Sequence, residues 1–314
     1  MNILIVGAGA LGSLIGARLS KTSASVSLFN TNHAHMQAIR KKGLDIEELD
    51  GSVSNNRLEA CYEVQKVPPR PDLALVMVKT YSTEEAVSLV RPICSPSTVF
   101  LTLQNGIGNW ERIAEIAGEK SVLAGSTAQG ATLLGPGRIR HGGNGPTYIG
   151  EPRGPASERV INVVEVFRES GLVTEPSSNV ERLIWEKLVI NVGINAITGL
   201  TGIKNGLIAQ VREATELCSQ AVLEAIAVAG ANGFTIGDEM VQRVIEVARA
   251  TARNRSSMGQ DVDKKKRTEI DAINGAVVRF AEKAGIAAPV NRTLTALIKI
   301  LETRYMAGNA GTNT

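Results

Sequence analysis

Lys187, Asn191 and Asn195 recur at every fourth position of the segment 181–195. The rest of that segment is largely apolar: Leu183, Ile184, Trp185, Leu188, Val189, Ile190, Val192 and Ile194 cover most of the circumference. Steps of four advance only about 40° each at 3.6 residues per turn, so the three polar groups form one narrow stripe about 12 Å long. A helix that is apolar nearly all round is a buried helix. Burying amides or an ammonium is costly unless partners satisfy them. Desolvation disfavours the charged form of a lysine, which makes Lys187 a candidate proton donor. The competing reading is a solvent-facing stripe whose lysine stem lies along apolar surface.

A second constellation opens the chain. Ile3 to Val6 are an unbroken apolar run, followed by Gly7-Ala8-Gly9-Ala10-Leu11-Gly12, and then Leu14, Ile15 and Leu19 continue from Leu11 at helical spacing. The glycines therefore stand between a buried strand and a helix, where a dinucleotide fingerprint needs them. Gly7 permits the tight turn, Gly9 lets a pyrophosphate approach the backbone, and Gly12 lets helix pack on strand. The helix amino terminus adds free N–H groups and a positive dipole end. A second strand, 25–29, ends at Asn30-Thr31-Asn32-His33. An acid there would accept from the 2′-hydroxyl of NAD, and a basic residue would suit the 2′-phosphate of NADP. This tip has no acid to repel a phosphate and several hydrogen-bond donors, with Arg40 and Lys41 nearby in sequence, which points to NADP rather than NAD. The alternative is a polar loop with no such role.

A third stretch runs from Arg255 to Asp271. Ser257 and Gln260 have capping-box spacing, which opens a helix without any need for function. The basic run Lys264–Arg267 reads as a solvated helix face. Glu269 precedes the apolar positions Ile270, Ile273, Val277 and Phe280, and spacing alone gives it no role.

The elements that must position these groups fall into two kinds. Up to residue 178 the pattern is α/β. Apolar strands fall at 3–6, 25–29, 73–78, 98–103 and 122–126, with helices at 34–42 and 156–169. A glycine-rich stretch, 130–150, reads as antiparallel strands added at the sheet edge. Lys79 and Asn105 follow strand carboxyl ends, where ligands of open parallel sheets collect. Glu175-Pro176-Ser177-Ser178 reads as a linker. Beyond it the pattern is all-helical, at 179–198, 206–230, 237–255, 257–284 and 291–305, with a disordered tail from Gly308. The expected domains are 1–178, which binds the dinucleotide, and 179–314, which binds substrate.

Composition narrows the class. A net charge of +3 is too small to argue for nucleic acid. Cys61, Cys94 and Cys218 are widely spaced and odd in number, and His33, His35 and His141 form no metal-binding pattern. With no disulfide framework, no evident membrane run and no basic leader, a cytoplasmic protein is expected.

The chain resembles the ketopantoate reductases (2-dehydropantoate 2-reductases) over nearly its whole length. The motifs that carry the resemblance are GAGALG at 7–12, VKTY at 78–81, QNGIG at 104–108, WEKLVINVGINAITGL at 185–200, SSMGQD at 256–261 and KRTEIDAINGAV at 266–277. The resemblance implies a Rossmann-type doubly wound sheet plus a helical domain, with the active site in the cleft between, and NADPH-dependent reduction of ketopantoate in pantothenate synthesis. It implies Lys187 as general acid and Glu269 as a catalytic carboxylate contacting the substrate hydroxyl. It implies substrate-binding roles for Asn191, Asn195, Asn254 and Ser257, with Lys79 and Asn105 at the nicotinamide and substrate end. The family's frequent Arg at the end of the second strand is Thr31 here. Reduction of another 2-keto acid, or dinucleotide sensing without catalysis, are the alternatives, and the long helices would suit a homodimer.

Overall fold

The computed structural model describes residues 1–310, of which 308–310 by backbone alone. The chain divides into two compact units, the first formed by residues 1–104 and 108–183, the second by 105–107 and 184 onward.

In the first unit the elements run β1 (Asn2–Val6), α1 (Ala10–Leu19), β2 (Ser25–Phe29), α2 (His33–Lys42), β3 (Leu44–Glu47), β4 (Val53–Asn56), β5 (Glu59–Cys61), β6 (Leu73–Val76), α3 (Thr83–Val90), β7 (Val99–Thr102), α4 (Asn109–Ala117), β8 (Val122–Gly135), β9 (Arg138–Gly150), α5 (Glu158–Glu169) and β10 (Thr174–Pro176). Ile3 to Val6 and Leu73 to Val76 are buried throughout, as strands covered on both faces must be. All strands join one sheet in the order β4-β3-β9-β8-β7-β6-β1-β2-β5, with β10 added to β9. Pairing from β8 through β7, β6, β1 and β2 to β5 is parallel, which makes this a Rossmann-type arrangement. The chain order reverses between β1 and β6, so the carboxyl ends that carry Gly7 and Lys79 flank the switch point where such sheets bind ligands.

Two expectations for this unit need correction. The β8–β9 hairpin is not at the sheet edge. β9 is interior, flanked by β8 on one side and on the other by β3 at its start and β10 at its end. Ile139 and Ile149 take it into the same apolar core as β1, α1 and α5, and that burial overrides the glycine-rich appearance. Glu175 and Pro176 form part of β10 rather than a linker, and Ser177 N donates to Ile149 O at 2.8 Å.

The second unit is helical: α6 (Val180–Thr201), which begins in the first unit, then α7 (Arg212–Ala231), α8 (Glu239–Ala250), α9 (Ser257–Asp263), α10 (Asn274–Ala284) and α11 (Pro289–Ala310). Trp185, Leu188, Val189 and Val192 of α6 centre its core, and the Trp185 ring meets Phe234 and Phe280 at 5.6 and 5.2 Å between centroids. α6 is long and apolar enough to cross a membrane, which the sequence reading overlooked, but 61% of its apolar window is buried inside the protein. The helix expected over 257–284 is two helices. Between them lies a turn with Lys265 at a φ of 52° and a short 3-10 segment, Ile270–Ala272. The N–H groups there are taken by non-helical partners: Lys266 N donates to Asp261 O at 2.8 Å, Thr268 N to a Glu302 carboxylate oxygen at 2.6 Å and Ile270 N to Thr268 Oγ1 at 3.2 Å. Lys264–Arg267 are therefore exposed on a turn, not on a helix face. α11 extends through 308–310, where a disordered tail was expected, and the rest of that tail lies outside the described residues. Cys61, Cys94 and Cys218 are free thiols.

Glu224 of α7 caps α11: its carboxylate accepts from Val290 N at 2.8 Å and from Asn291 N at 2.9 Å, an anion at a helix amino terminus. Asn291 Nδ2 adds a bond to the same carboxylate at 2.8 Å and one to Ala221 O at 3.0 Å. Glu224→Ala leaves these donors without their acceptor, and we expect a loss of about 1–2 kcal/mol in urea denaturation.

Candidate active site

At the end of β1 the chain turns on Gly7 at a φ of 95°, where an added Cβ would lie 2.5 Å from Val78 N. A Cβ on Gly12 would lie 2.6 Å from Gly7 O. The protein's own packing thus requires both glycines. Gly9 is different, because the nearest atom to a Cβ there is Gly7 O at 4.0 Å. No other atom of the described residues comes within 4 Å of that position. Gly9 is also the N-cap of α1, with no side chain to bond the first turn and no acid within it. Gly7, Ala8, Gly9, Ala10, Leu11 and Gly12 thereby present an uncapped helix amino terminus beside open space, which fits a pyrophosphate.

At the tip of β2, Asn30 Oδ1 accepts from Asn32 N at 2.8 Å, and Asn32 Oδ1 accepts from His35 N at 3.1 Å to cap α2. Thr31 is exposed, and the His33 ring stands edge-on to Tyr62 at 4.1 Å. α2 has no acid in its first turn. Lys79 is half-buried, just after β6. Gln104 opens the QNGIG motif, but no role of its own was legible in the sequence. Its Nε2 donates to Val78 O at 2.7 Å and to Thr83 Oγ1 at 2.8 Å, which ties the end of β7 to the segment carrying Lys79.

In the helical unit, Lys187, Asn191 and Asn195 lie along α6 as their spacing requires. Lys187 is half-buried as a residue, but desolvation around it lowers its ammonium from 10.5 to about 8, against the opposing pull of the Glu269 carboxylate. Glu269 is buried in the break after α9, where its carbonyl accepts from Ala272 N at 3.0 Å, and its carboxylate acts electrostatically on Lys187 of α6. Asn191 Nδ2 and Asn195 Nδ2 are both buried with no hydrogen-bond partner among the described residues. Buried amide donors seldom go unpaired, so a stripe with two of them beside an ammonium is suited to a polar, anionic ligand. Asn105 is half-buried in the segment 105–107, whose Ile107 N donates to Ala272 O at 3.3 Å, on the same turn as Glu269.

Ser257 is half-buried at the start of α9, but the residue that caps this helix is its neighbour. Ser256 Oγ accepts from Gly259 N at 3.0 Å and lies 2.7 Å from Thr198 Oγ1 of α6. Asn254 is exposed, and its carbonyl accepts from Asn205 N at 3.1 Å. Arg255, which the sequence named without a role, donates to Ile203 O at 3.0 Å and pairs with Asp263, holding this turn beside the end of α6.

A glycine turn on a Rossmann-type sheet, with a helical unit that desolvates a lysine near a carboxylate, defines a dinucleotide-dependent oxidoreductase. Comparison with known proteins specifies which. The family model for ketopantoate reductase PanE/ApbA matches residues 3–154, and that for its C-terminal domain matches residues 179–302. The chain belongs to the ketopantoate reductase family. It is 37% identical to a 2-dehydropantoate 2-reductase of Halobacterium salinarum, over 96% of this chain and 99% of that protein. Among solved structures it is similar to a ketopantoate reductase of Ralstonia eutropha (30% identity, TM-score 0.89, covering 98% of this chain and 100% of that one). It is also similar to a D-mandelate dehydrogenase solved with NADH (26% identity, TM-score 0.89, covering 97% and 99%).

The two kinds of glycine can be told apart. Gly12→Ala must displace Gly7 O, and we expect a loss of about 1–3 kcal/mol together with weaker dinucleotide binding. Gly9→Ala should leave the melting temperature nearly unchanged but weaken binding of the dinucleotide. Calorimetric melting and a fluorescence titration of each variant separate the two outcomes.

Proposed function

We propose that the protein catalyses the NADPH-dependent reduction of 2-dehydropantoate to pantoate, a step of pantothenate synthesis. The observation that carries this reading is the α6 stripe: an ammonium lowered to about 8 beside two buried amide donors with no partner among the described residues, in a chain of the ketopantoate reductase family. A bound reduced nicotinamide would supply the hydride to C2 of the keto acid. Negative charge then develops on the carbonyl oxygen, and a donor held there lowers the barrier. Protonated Lys187 is that donor and gives its proton to the forming alkoxide. Glu269 accepts from the substrate hydroxyl and holds charge on the lysine that desolvation would otherwise remove. Asn191, Asn195 and Ser257 hold the hydroxyl and carboxylate groups, together with Asn254. Lys79 and Asn105 serve the nicotinamide and substrate end, and Gly7 to Gly12 hold the pyrophosphate.

For the cofactor, the tip Asn30–His33 offers no carboxylate to repel a 2′-phosphate, and exposed Thr31 and His33 are available as donors. The likeness to a D-mandelate dehydrogenase solved with NADH favours a second reading, reduction of another 2-keto acid with NADH. Initial rates with ketopantoate and ketoisovalerate, each with NADPH and NADH, decide between them. We expect the largest kcat/KM for ketopantoate with NADPH, and a larger value for another pair would replace this reading.

The lysine makes its own signature. Lys187→Ala should lower kcat by about 10²–10⁴-fold while NADPH still binds. The acid must be protonated to act, so kcat should fall as pH rises through about 8. Glu269→Gln removes the charge that favours the ammonium, so in this variant the alkaline fall should move to lower pH. A pH–rate profile that is flat across this range would remove Lys187 as the proton donor.

A further inference from the structure

A buried relay reaches the glycine turn from two other elements of the first unit. His35 of α2 and Ser13 of α1 are 1% and 0% exposed. Gly137 N, at the tip of the β8–β9 hairpin, donates to His35 Nδ1 at 3.0 Å. That fixes the tautomer, because Nδ1 must offer its lone pair and the proton must sit on Nε2. His35 Nε2 is 3.2 Å from Ser13 Oγ, and Ser13 Oγ donates to Ala8 O at 3.2 Å. The protons therefore run one way, from Gly137 to His35 to Ser13 to Ala8, and every group in the chain is satisfied only while the imidazole is neutral. The relay ends on the peptide that joins Ala8 to Gly9. The other end of that peptide is also held, since Gly9 N donates to Gly7 O at 2.7 Å. The plane that leads into the first-turn amides of α1 is thus locked at both ends. His35 further touches the adenosine side of the site, because its own N–H is the one that Asn32 caps.

We propose that His35, acting through Ser13, is a positioning residue for the dinucleotide turn, and that its protonation releases the turn and weakens dinucleotide binding. The proposal rests on the reading that Gly7 to Gly12 hold the pyrophosphate. A protonated imidazole would set an N–H at Nδ1 against the Gly137 N–H and break that bond. Burial already lowers the pKa of His35 below 6.5. Charged groups on the surrounding elements do not offset this. Arg18 of α1 pairs with Glu48, Asp45 of β3 accepts from Asn55, and Glu59 of β5 accepts from Ser27. Arg40 of α2 and Arg138 of β9 are exposed. The depressed pKa fixes the sign. The relay is intact above 6.5, and it fails as pH falls through the lower folded-state value of His35.

The test is a fluorescence titration of the full-length protein with NADPH, at pH values above and below 6.5, on the wild type, His35→Gln and Ser13→Ala. Ser13→Ala keeps the bond from Gly137 to His35 and serves if His35→Gln does not fold. At neutral pH each variant should raise the dissociation constant about five- to tenfold, the equivalent of one net hydrogen bond, with the effect in KM rather than kcat. On acidification the wild-type constant should rise more steeply than that of His35→Gln, so the ratio between them closes. The 2′-phosphate is common to both titrations and cancels from the ratio. Ring nitrogen shifts in NMR should show the Nε2–H tautomer and a titration below 6.5. A ratio that stays constant with pH, or the opposite tautomer, would overturn the proposal. Failure of the wild type to bind NADPH at any pH would instead overturn the pyrophosphate reading.

Discussion

Holding an ammonium where water is scarce is the constraint that shapes the helical unit. Lys187 is drawn down to about 8 by desolvation, so its charge is carried at neutral pH against the preference of its surroundings. The sign for stability follows. An unfolded lysine binds its proton up to about 10.5, so the cost to folding is fully present below about 8 and is relieved only as pH rises between these values. The rest of the unit is arranged around that cost. α6 is mostly apolar away from the stripe, and Trp185, Leu188, Val189 and Val192 anchor it in the core. The chain after α9 gives up helical hydrogen bonding to bring a buried carboxylate to bear on the lysine, and side chains such as Glu302 and Thr268 take over its amides.

The α/β unit solves a different problem: keeping a space empty without letting the backbone around it move. Gly7 and Gly12 are fixed by contacts of the protein with itself, while Gly9 borders a gap that the protein leaves unfilled. An uncapped helix end is poorly satisfied alone. The turn is therefore held from behind, by Phe29 O, which accepts from both Gly7 N and Ala8 N, and by Ser13, which bonds Ala8 O. Rigid support behind and unpaired donors in front is what preorganised anion binding requires.

Much of this was legible in the sequence because it is periodic or local. The run Ile3–Val6 and the glycines after it gave β1 and α1 from composition and spacing within one stretch. The stripe Lys187, Asn191, Asn195 needed only the helical repeat. The break between α9 and α10 was not legible, because Ile270, Ile273 and Val277 keep a helix-like phase through a 3-10 turn, and phase does not report continuity. Adjacent serines hid which of Ser256 and Ser257 caps α9, and only the bond to Gly259 N separates them. The interior place of β9 was masked by glycines, since its neighbours β3 and β10 come from distant parts of the chain.

The bonding roles that escaped the sequence share a cause. Gln104, Arg255, Glu302 and the pair His35–Ser13 each bond a backbone group in a different element, at separations no local pattern encodes. They cluster where regular hydrogen bonding stops: the ends of β6 and β7, the turn after α8, the gap between α9 and α10, and the glycine turn. Sites need irregular backbone to expose donors and carboxylates, and irregular backbone needs side chains to replace the ladders it lacks. The residues that hold a site in place are therefore the ones whose role local sequence reading misses, although the residues proposed for its chemistry stand out.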